Sequence, residues 1–195
     1  MNFKTFPKGY RQIEVMDFVR NRKQLMIVSV SAIAVMAVMI VLGLLFFPTR
    51  PSWDFLKANW WAWIVLAGMH IAYVLLHEIT HGLLMHALSG VKPKYGLKLP
   101  YAYAGSTVWF DRRSHGLIAL APLVLWGVVL FVLERMLPGH WFWLLYTVQI
   151  ANISGSAGDV YCVLHMLRLP RDIVIQDTGT RMRIFAPRPD NEESK

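Results

Sequence analysis

The sequence predicts an all-α polytopic membrane protein with four transmembrane helices and short cytoplasmic β-hairpins. Hydrophobic residues make up 55% of the 195 positions and charged residues only 16%, a composition too apolar for a soluble domain of this size. The apolar residues also gather in four long runs, as is typical of transmembrane helices. These runs are residues 25–47, 60–88, 116–133 and 141–167.

The first run is long enough to cross a membrane. Residues 25–47 include no charged side chain. At about 1.5 Å per residue, a helix of this length crosses a hydrocarbon core of about 30 Å. The apolar part of a cleaved signal peptide is shorter, about 7–15 residues, so we interpret this run as a membrane span.

Lysines and arginines indicate the orientation of the spans, because these residues are enriched in cytoplasmic loops. Seventeen of the 20 lie before the first run, between the second and third runs, or after the fourth run. Only Arg50, Lys57 and Arg135 lie on the opposite side. We therefore predict a multi-pass protein of a bacterial cytoplasmic membrane with both termini in the cytoplasm. The basic residues form no continuous stripe, so the expected partner is the lipid bilayer and not a nucleic acid.

We interpret residues 1–195 as a single membrane-embedded domain. Its polar parts are a cytoplasmic N-terminal segment (1–24), a hairpin or re-entrant loop (91–114) and a cytoplasmic tail (168–195). Turn-forming residues at 177–180 predict a second hairpin within the tail. The last residues, 188–195, are predicted to be disordered.

The second run contains the pattern His77-Glu-Ile-Thr-His81. Histidines four residues apart project from one helix face and can share a zinc ion, while the glutamate contacts the water bound to that ion. The pattern can arise by chance, but polar side chains at membrane depth cost free energy and are therefore functional candidates. We interpret His77 and His81 as metal ligands and Glu78 as the catalytic base.

A catalytic zinc ion with tetrahedral geometry needs a third protein ligand. Of the 12 acidic residues, only Glu78 and Asp159 fall inside the predicted spans, so Asp159 is the predicted third ligand to one zinc ion per chain. Two alternatives stay open: Asp159 pairs with an arginine or caps a broken helix, and Cys162 binds the zinc ion instead. Two histidines and an aspartate also suit iron or manganese.

The residues that precede Asp159 are unusual for a membrane span. The small residues at 155–158, Gly-Ser-Ala-Gly, allow another backbone to come close or the helix to open locally. Asn152 lies seven residues before Asp159, on nearly the same face of a regular helix. We predict that Asn152 is a catalytic residue that donates a hydrogen bond to the substrate oxyanion, with an ordinary interhelical hydrogen bond as the alternative.

With these motifs the chain resembles the zincin peptidase family of small bacterial membrane proteins, relatives of the site-2 intramembrane zinc metalloproteases. The resemblance covers most of residues 60–187. It lies in the motif from His77 to Gly82, in Ala121-Pro122, in the segment 152–159 and in the turn 177–180.

The resemblance implies a zinc-dependent endopeptidase fold. In it, His77, His81 and Asp159 match the metal positions and Glu78 matches the catalytic base. The Leu-Asp-Gly that surrounds the ligand aspartate in the better-studied site-2 proteases is replaced here by Gly-Asp-Val, and this departure concerns the handling of substrate.

The predicted function is that of a zinc metalloendopeptidase that hydrolyses peptide bonds in membrane-associated proteins near the cytoplasmic side of the bilayer. Its expected partner is a membrane-protein or peptide substrate, which a strand edge within residues 98–110 is expected to pair with. The alternative is a non-catalytic membrane protein with a structural metal site or a small-solute cavity. The two hypotheses differ at Glu78, which only proteolysis requires.

Overall fold

The computed structural model describes residues 2–18, 20–47, 53–98, 101–137 and 139–188. Along this part of the chain one strand is followed by three helices, three strands, three helices and two strands. The helices are α1 (Arg22–Phe46), α2 (Trp53–Ala58), α3 (Trp61–Ser89), α4 (Arg112–Met136), α5 (Gly139–Gly155) and α6 (Ala157–Met166). The strands are β1 (Tyr10–Met16), β2 (Lys94–Lys98), β3 (Tyr101–Gly105), β4 (Trp109–Asp111), β5 (Val174–Asp177) and β6 (Met182–Pro187).

Three of the described helices, α1, α3 and α4, are long and apolar enough to cross a membrane. They correspond to the first three predicted spans. The fourth predicted span, residues 141–167, is not one helix but two, because the chain leaves helical geometry at Ser156, where ψ is 6°. The prediction of four transmembrane helices is therefore not confirmed in that form.

Strands form two antiparallel sheets. The larger sheet has the order β1-β6-β5-β4, and β2 pairs with β3 in a separate hairpin. Both predicted hairpins are confirmed: β2 and β3 lie within residues 91–114, and β5 and β6 flank the turn that contains Gly179. This glycine has a φ of 81°, in the left-handed region that side chains with a Cβ rarely adopt.

The N-terminal segment contains a strand that the sequence analysis did not predict. Strand β1 pairs with β6 from Tyr10 opposite Pro187 to Met16 opposite Met182. The two ends of the described chain therefore lie in one sheet. The predicted disorder of residues 188–195 falls, apart from Arg188, outside the described residues, and the single-domain organisation stays a prediction.

Apolar clusters join these elements. One cluster lies where α3, α4 and α5 meet and contains Tyr73, Leu130, Leu145 and Val148. A second cluster packs α6 against the larger sheet and contains Met16, Met166, Ile173, Ile175, Met182, Ile184 and Ala186. The remaining surfaces of α1, α3 and α4 expose many large apolar side chains, as expected of helix faces in contact with lipid.

The contact between α1 and α5 depends on Gly43. The hydroxyl of Tyr146 on α5 donates a hydrogen bond to the backbone oxygen of Met39 over 2.6 Å, which brings the tyrosine ring against α1. A Cβ at Gly43 would collide with Cε1 of this ring. The ring also stacks on Phe142, so it has little room to move away.

We expect Gly43→Val to destabilise the protein by about 1–3 kcal/mol, because the added side chain overpacks the junction of α1 and α5. Thermal unfolding in a non-ionic detergent, followed by tryptophan fluorescence, measures the change. The control is Gly68→Val on α3, where no atom lies within 4 Å of the position that a Cβ would occupy. Equal unfolding temperatures for the two variants would contradict this account of the helix contact.

Candidate metal centre

His77, His81 and Asp159 lie together where α3 meets α6. The Nε2 atoms of the two histidines are 3.1 Å apart. The Oδ2 atom of Asp159 lies 3.4 Å from Nε2 of His77, and its Oδ1 atom lies 3.6 Å from Nε2 of His81. The structure thus brings together the three predicted ligands, although Asp159 lies more than 70 residues after the two histidines in the sequence.

The dimensions of this cluster match those of a tetrahedral zinc site. With metal–ligand bonds of about 2.0–2.2 Å, neighbouring ligand atoms in such a site are about 3.3–3.6 Å apart. The three measured separations, from 3.1 to 3.6 Å, lie close to this range. Two imidazoles and a carboxylate are also a ligand set that zinc takes in proteins, so the residues present fit the ion.

Hydrogen bonds on the far side of each ring fix which nitrogen is free. Nδ1 of His81 lies 2.8 Å from the backbone oxygen of Ile118. A carbonyl oxygen can only accept, so Nδ1 carries a proton, and in the neutral ring Nε2 presents its lone pair toward Asp159.

The same reasoning applies to His77 through two further residues. Its Nδ1 lies 2.9 Å from the hydroxyl of Tyr73, and that hydroxyl donates its only proton to Oδ1 of Asn152 over 3.0 Å. The hydroxyl oxygen therefore accepts from Nδ1 of His77, so in the neutral ring Nε2 carries the lone pair here as well.

With both rings neutral, the cluster holds two nitrogen lone pairs and a carboxylate directed at one point. Such groups repel one another unless a positive charge lies among them. A proton on one imidazole would join one pair of atoms, whereas a metal ion joins all three. This arrangement of donor atoms is the observation that favours a metal ion at the site.

Asp159 reaches the cluster because of the interruption at Ser156. That residue is fully buried, and its hydroxyl donates to the backbone oxygen of Asn152 over 2.8 Å. The next helix, α6, begins at Ala157 and places Asp159 in its first turn. A carboxylate in the first turn of a helix interacts favourably with the unpaired backbone N–H groups there.

Glu78 lies beside the cluster and contacts the β2–β3 hairpin. Its Oε2 atom accepts a hydrogen bond from the backbone nitrogen of Ala104 over 2.8 Å. Tyr95, the cross-strand partner of Ala104, packs its ring over Gly82, where a Cβ would collide with the tyrosine hydroxyl. The edge of β3 therefore faces the catalytic-base candidate.

The Tyr95 side chain is half exposed, and its hydroxyl has only a long contact of 3.5 Å with the backbone oxygen of Ile79. Burial, and then the nearby Glu78 carboxylate, raise the pKa of Tyr95 above its ordinary value. The phenol therefore stays protonated at neutral pH and can donate a hydrogen bond to a ligand.

Asn152 is completely buried, and both ends of its amide have protein partners. Oδ1 accepts from Tyr73, and Nδ2 donates to the backbone oxygen of Leu123 over 3.1 Å. The amide thus joins α3, α4 and α5. This geometry favours the interhelical hydrogen bond over direct contact with a substrate oxyanion. The catalytic role of Asn152 stays a prediction.

The alternative ligand Cys162 and two further histidines lie elsewhere. Cys162 packs against the cluster of apolar side chains between α6 and the larger sheet and is not part of the metal-binding group found among the described residues. Nδ1 of His70 contacts the backbone oxygen of Leu66, and Nε2 of His115 lies 3.4 Å from Oδ2 of Asp177.

Tyr73 and Tyr95 were not predicted from the sequence. Tyr73 lies four residues before His77, the spacing at which side chains on a helix touch, so this partner could have been found from the motif itself. Gly82 signals a close approach to α3, but nothing local to it identifies Tyr95 as the neighbour.

Comparison with known proteins shows which family shares this site. A family model with the description "Putative zincin peptidase" matches residues 70–174, more than half of the chain. The chain belongs to this family. The matched region contains His77, His81 and Asp159 together with Glu78, and membership of a zincin family implies zinc as the metal. The predicted zincin resemblance is thereby confirmed.

The chain is also similar to a curated protein from Pyrococcus woesei. This uncharacterized 24.7 kDa protein of the gap 5′ region is 29% identical to the chain over 125 residues, which cover 62% of the chain and 54% of the relative. The chain therefore spans about half the length of the curated relative that it matches. No solved structure matches the chain.

The hydroxyl of Tyr73 orients a ligand, so we expect Tyr73→Phe to weaken zinc binding about 10–100-fold while the protein stays folded. Titration of the purified protein with a competing zinc chelator measures the affinity. The matched control is Tyr146→Phe, which removes another buried tyrosine hydroxyl, one that donates to a backbone oxygen away from the cluster. Unchanged zinc affinity in Tyr73→Phe would remove the tyrosine from the metal centre.

Proposed function

We propose that this protein is a zinc-dependent membrane endopeptidase that hydrolyses peptide bonds in membrane-associated proteins near the cytoplasmic side of the bilayer. The observation that supports this function most directly is the convergence of ligand atoms from His77, His81 and Asp159, with Glu78 beside them. We further propose that the protein is related to the site-2 intramembrane proteases and that it binds one zinc ion per chain.

His77, His81 and Asp159 would hold the zinc ion, leaving its fourth position for water or substrate. A zinc ion bound there supplies a Lewis acid that activates water and polarises a carbonyl group. The partners of the two imidazoles, the Tyr73 hydroxyl and the Ile118 backbone oxygen, keep each ring in the tautomer that can bind a metal.

Glu78 acts as the general base. The backbone N–H of Ala104 holds one carboxylate oxygen and so orients the other. This second oxygen takes a proton from the attacking water, and the resulting carboxylic acid passes it to the leaving amine. Tyr95 donates a hydrogen bond to the oxygen of the scissile carbonyl, where negative charge develops as water attacks.

The β2–β3 hairpin presents the substrate. Cleavage needs an extended peptide, and the backbone N–H of Ala104 points from the edge of β3 toward Glu78. A substrate strand that lies along this edge has its peptide bonds next to the base. The edge belongs to residues 98–110, the segment expected from the sequence to pair with substrate.

We also infer four membrane crossings with both termini in the cytoplasm. Support comes from the larger sheet, because β1, β4, β5 and β6 all belong to it. A chain that starts and ends on one side crosses an even number of times. With α1, α3 and α4 as three crossings, α5 and α6 together supply the fourth, as a span interrupted at Ser156.

Glu78→Gln tests the function. We expect the variant to keep its zinc and to lose cleavage by about 10²–10⁴-fold, because a carboxamide cannot take the proton. The assay uses detergent-purified full chain with a panel of membrane proteins, with products identified by mass spectrometry and zinc measured by elemental analysis. The control, Glu134→Gln on α4, changes another membrane glutamate and should cleave normally.

Ligand variants complete this experiment. His77→Ala and Asp159→Asn should lose zinc as well as cleavage. A wild-type protein with stoichiometric zinc but no cleavage of any panel member, or a Glu78→Gln variant as active as wild type, would favour the non-catalytic alternative. A wild-type protein that binds no metal would refute the proposal.

Tyr95→Phe tests whether the Tyr95 hydroxyl contacts the transition state or whether the ring only packs over Gly82. The phenylalanine ring still covers Gly82, so we expect KM to change little while kcat falls about 10²-fold or more, because one hydrogen-bond donor to the oxyanion is lost. Steady-state kinetics on a panel substrate give both constants. Tyr103→Phe, on the neighbouring strand of the same hairpin, is the control, and a parallel loss of kcat in both variants would indicate damage to the hairpin.

A further inference from the structure

A cavity of about 530 Å³ lies at the start of α4, apart from the metal centre. Its lining consists of Asp111, Arg112, Arg113 and Arg171. The first three residues are consecutive at the junction of β4 and α4, and Arg171 comes from the loop between α6 and β5. Three guanidinium groups and one carboxylate thus share one opening, which has a net positive charge.

Two of these residues already serve the fold. Oδ1 of Asp111 accepts a hydrogen bond from the backbone nitrogen of Ser114 over 2.7 Å and so caps α4. Arg112 donates through Nη1 to the backbone oxygen of Leu169, which joins the start of α4 to the loop after α6. Among the residues that the structure describes, Arg113 and Arg171 form no ion pair. Both side chains are exposed and can bind an anion.

Arg113 lies at the end of an exposed apolar face of α4. Leu117, Val124, Val128 and Phe131 are 62%, 60%, 58% and 53% exposed. At 100° per residue, all four lie within about 60° of Arg113 around the helix axis. Because α4 is long and apolar enough to cross a membrane, this face is where lipid chains pack.

The other wall of the cavity has the same arrangement. Leu164 and Leu167 at the end of α6 are 54% and 58% exposed, and Arg171 follows them in the chain. On both walls an arginine therefore lies at the polar end of an apolar surface. A ligand that matches this pattern has a negatively charged head and apolar chains.

We propose that the cavity binds the phosphate of an anionic phospholipid whose acyl chains lie on the exposed apolar face of α4. Guanidinium groups bind phosphate oxygens through pairs of parallel hydrogen bonds, and Arg113 and Arg171 approach the cavity from two sides. Free phosphate offers the same head chemistry but makes no use of the apolar face. The inference rests on the membrane location of α4 and is independent of proteolysis.

Lipid titration of the full chain tests the site. The protein in dodecyl maltoside is titrated with phosphatidylglycerol, and bound lipid is counted by native mass spectrometry. We expect Arg113→Gln/Arg171→Gln to weaken binding about 30-fold, since each arginine near a membrane surface contributes about fivefold. The matched control, Arg183→Gln/Arg188→Gln, removes the same charge from exposed positions on and next to β6.

Three results would overturn the proposal. One is equal loss of binding in both double variants, which would indicate a general charge effect. Another is equal affinity of the wild type for phosphatidylcholine, and the third is full displacement of phosphatidylglycerol by millimolar inorganic phosphate. Arg171→Gln alone, in an exposed loop, guards against misfolding: we expect about fivefold weaker lipid binding with the unfolding temperature and zinc content of the wild type.

Discussion

Two imidazole nitrogens and a carboxylate face one another among apolar helices, and much of the structure serves to make this arrangement stable. Polar groups at membrane depth cost free energy unless each finds a partner. The second nitrogen of each ring has one: the backbone oxygen of Ile118 for His81, and the hydroxyl of Tyr73 for His77. Asn152 then satisfies Tyr73 and ends the chain of hydrogen bonds at a backbone oxygen of α4. The same hydrogen bonds therefore hold the helices together and orient the metal ligands.

The parts of this site that depend on local spacing could be predicted from the sequence. Histidines four residues apart share a helix face in any helix, and the shortage of acidic residues inside apolar runs left Asp159 as the partner. The role of Asn152 could not be chosen in the same way, because an amide seven residues from a ligand suits either a substrate or a neighbouring helix. Its complete burial and its two partners distinguish these cases, and both depend on tertiary packing.

The fold shows the same division between local and distant information. Long apolar runs predicted α1, α3 and α4, and turn residues predicted both hairpins. Hydropathy over 141–167 could not show that the chain leaves helical geometry at Ser156, because the residues on either side are equally apolar. Strand β1 has no sequence signal of its own, since its partner β6 lies more than 160 residues away. The contact of Glu78 with Ala104 likewise joins elements that meet only in the folded chain.

Strand β6 lies between β1 and β5, and this order has a consequence for biosynthesis. Strand β1 leaves the ribosome before any of the described helices, whereas its partner β6 is made more than 160 residues later. Until β6 is made, β1 lacks its partner strand, and the side chains that cover Met16 have not yet come together. The sheet can therefore be completed only after the six described helices between these two strands have been made.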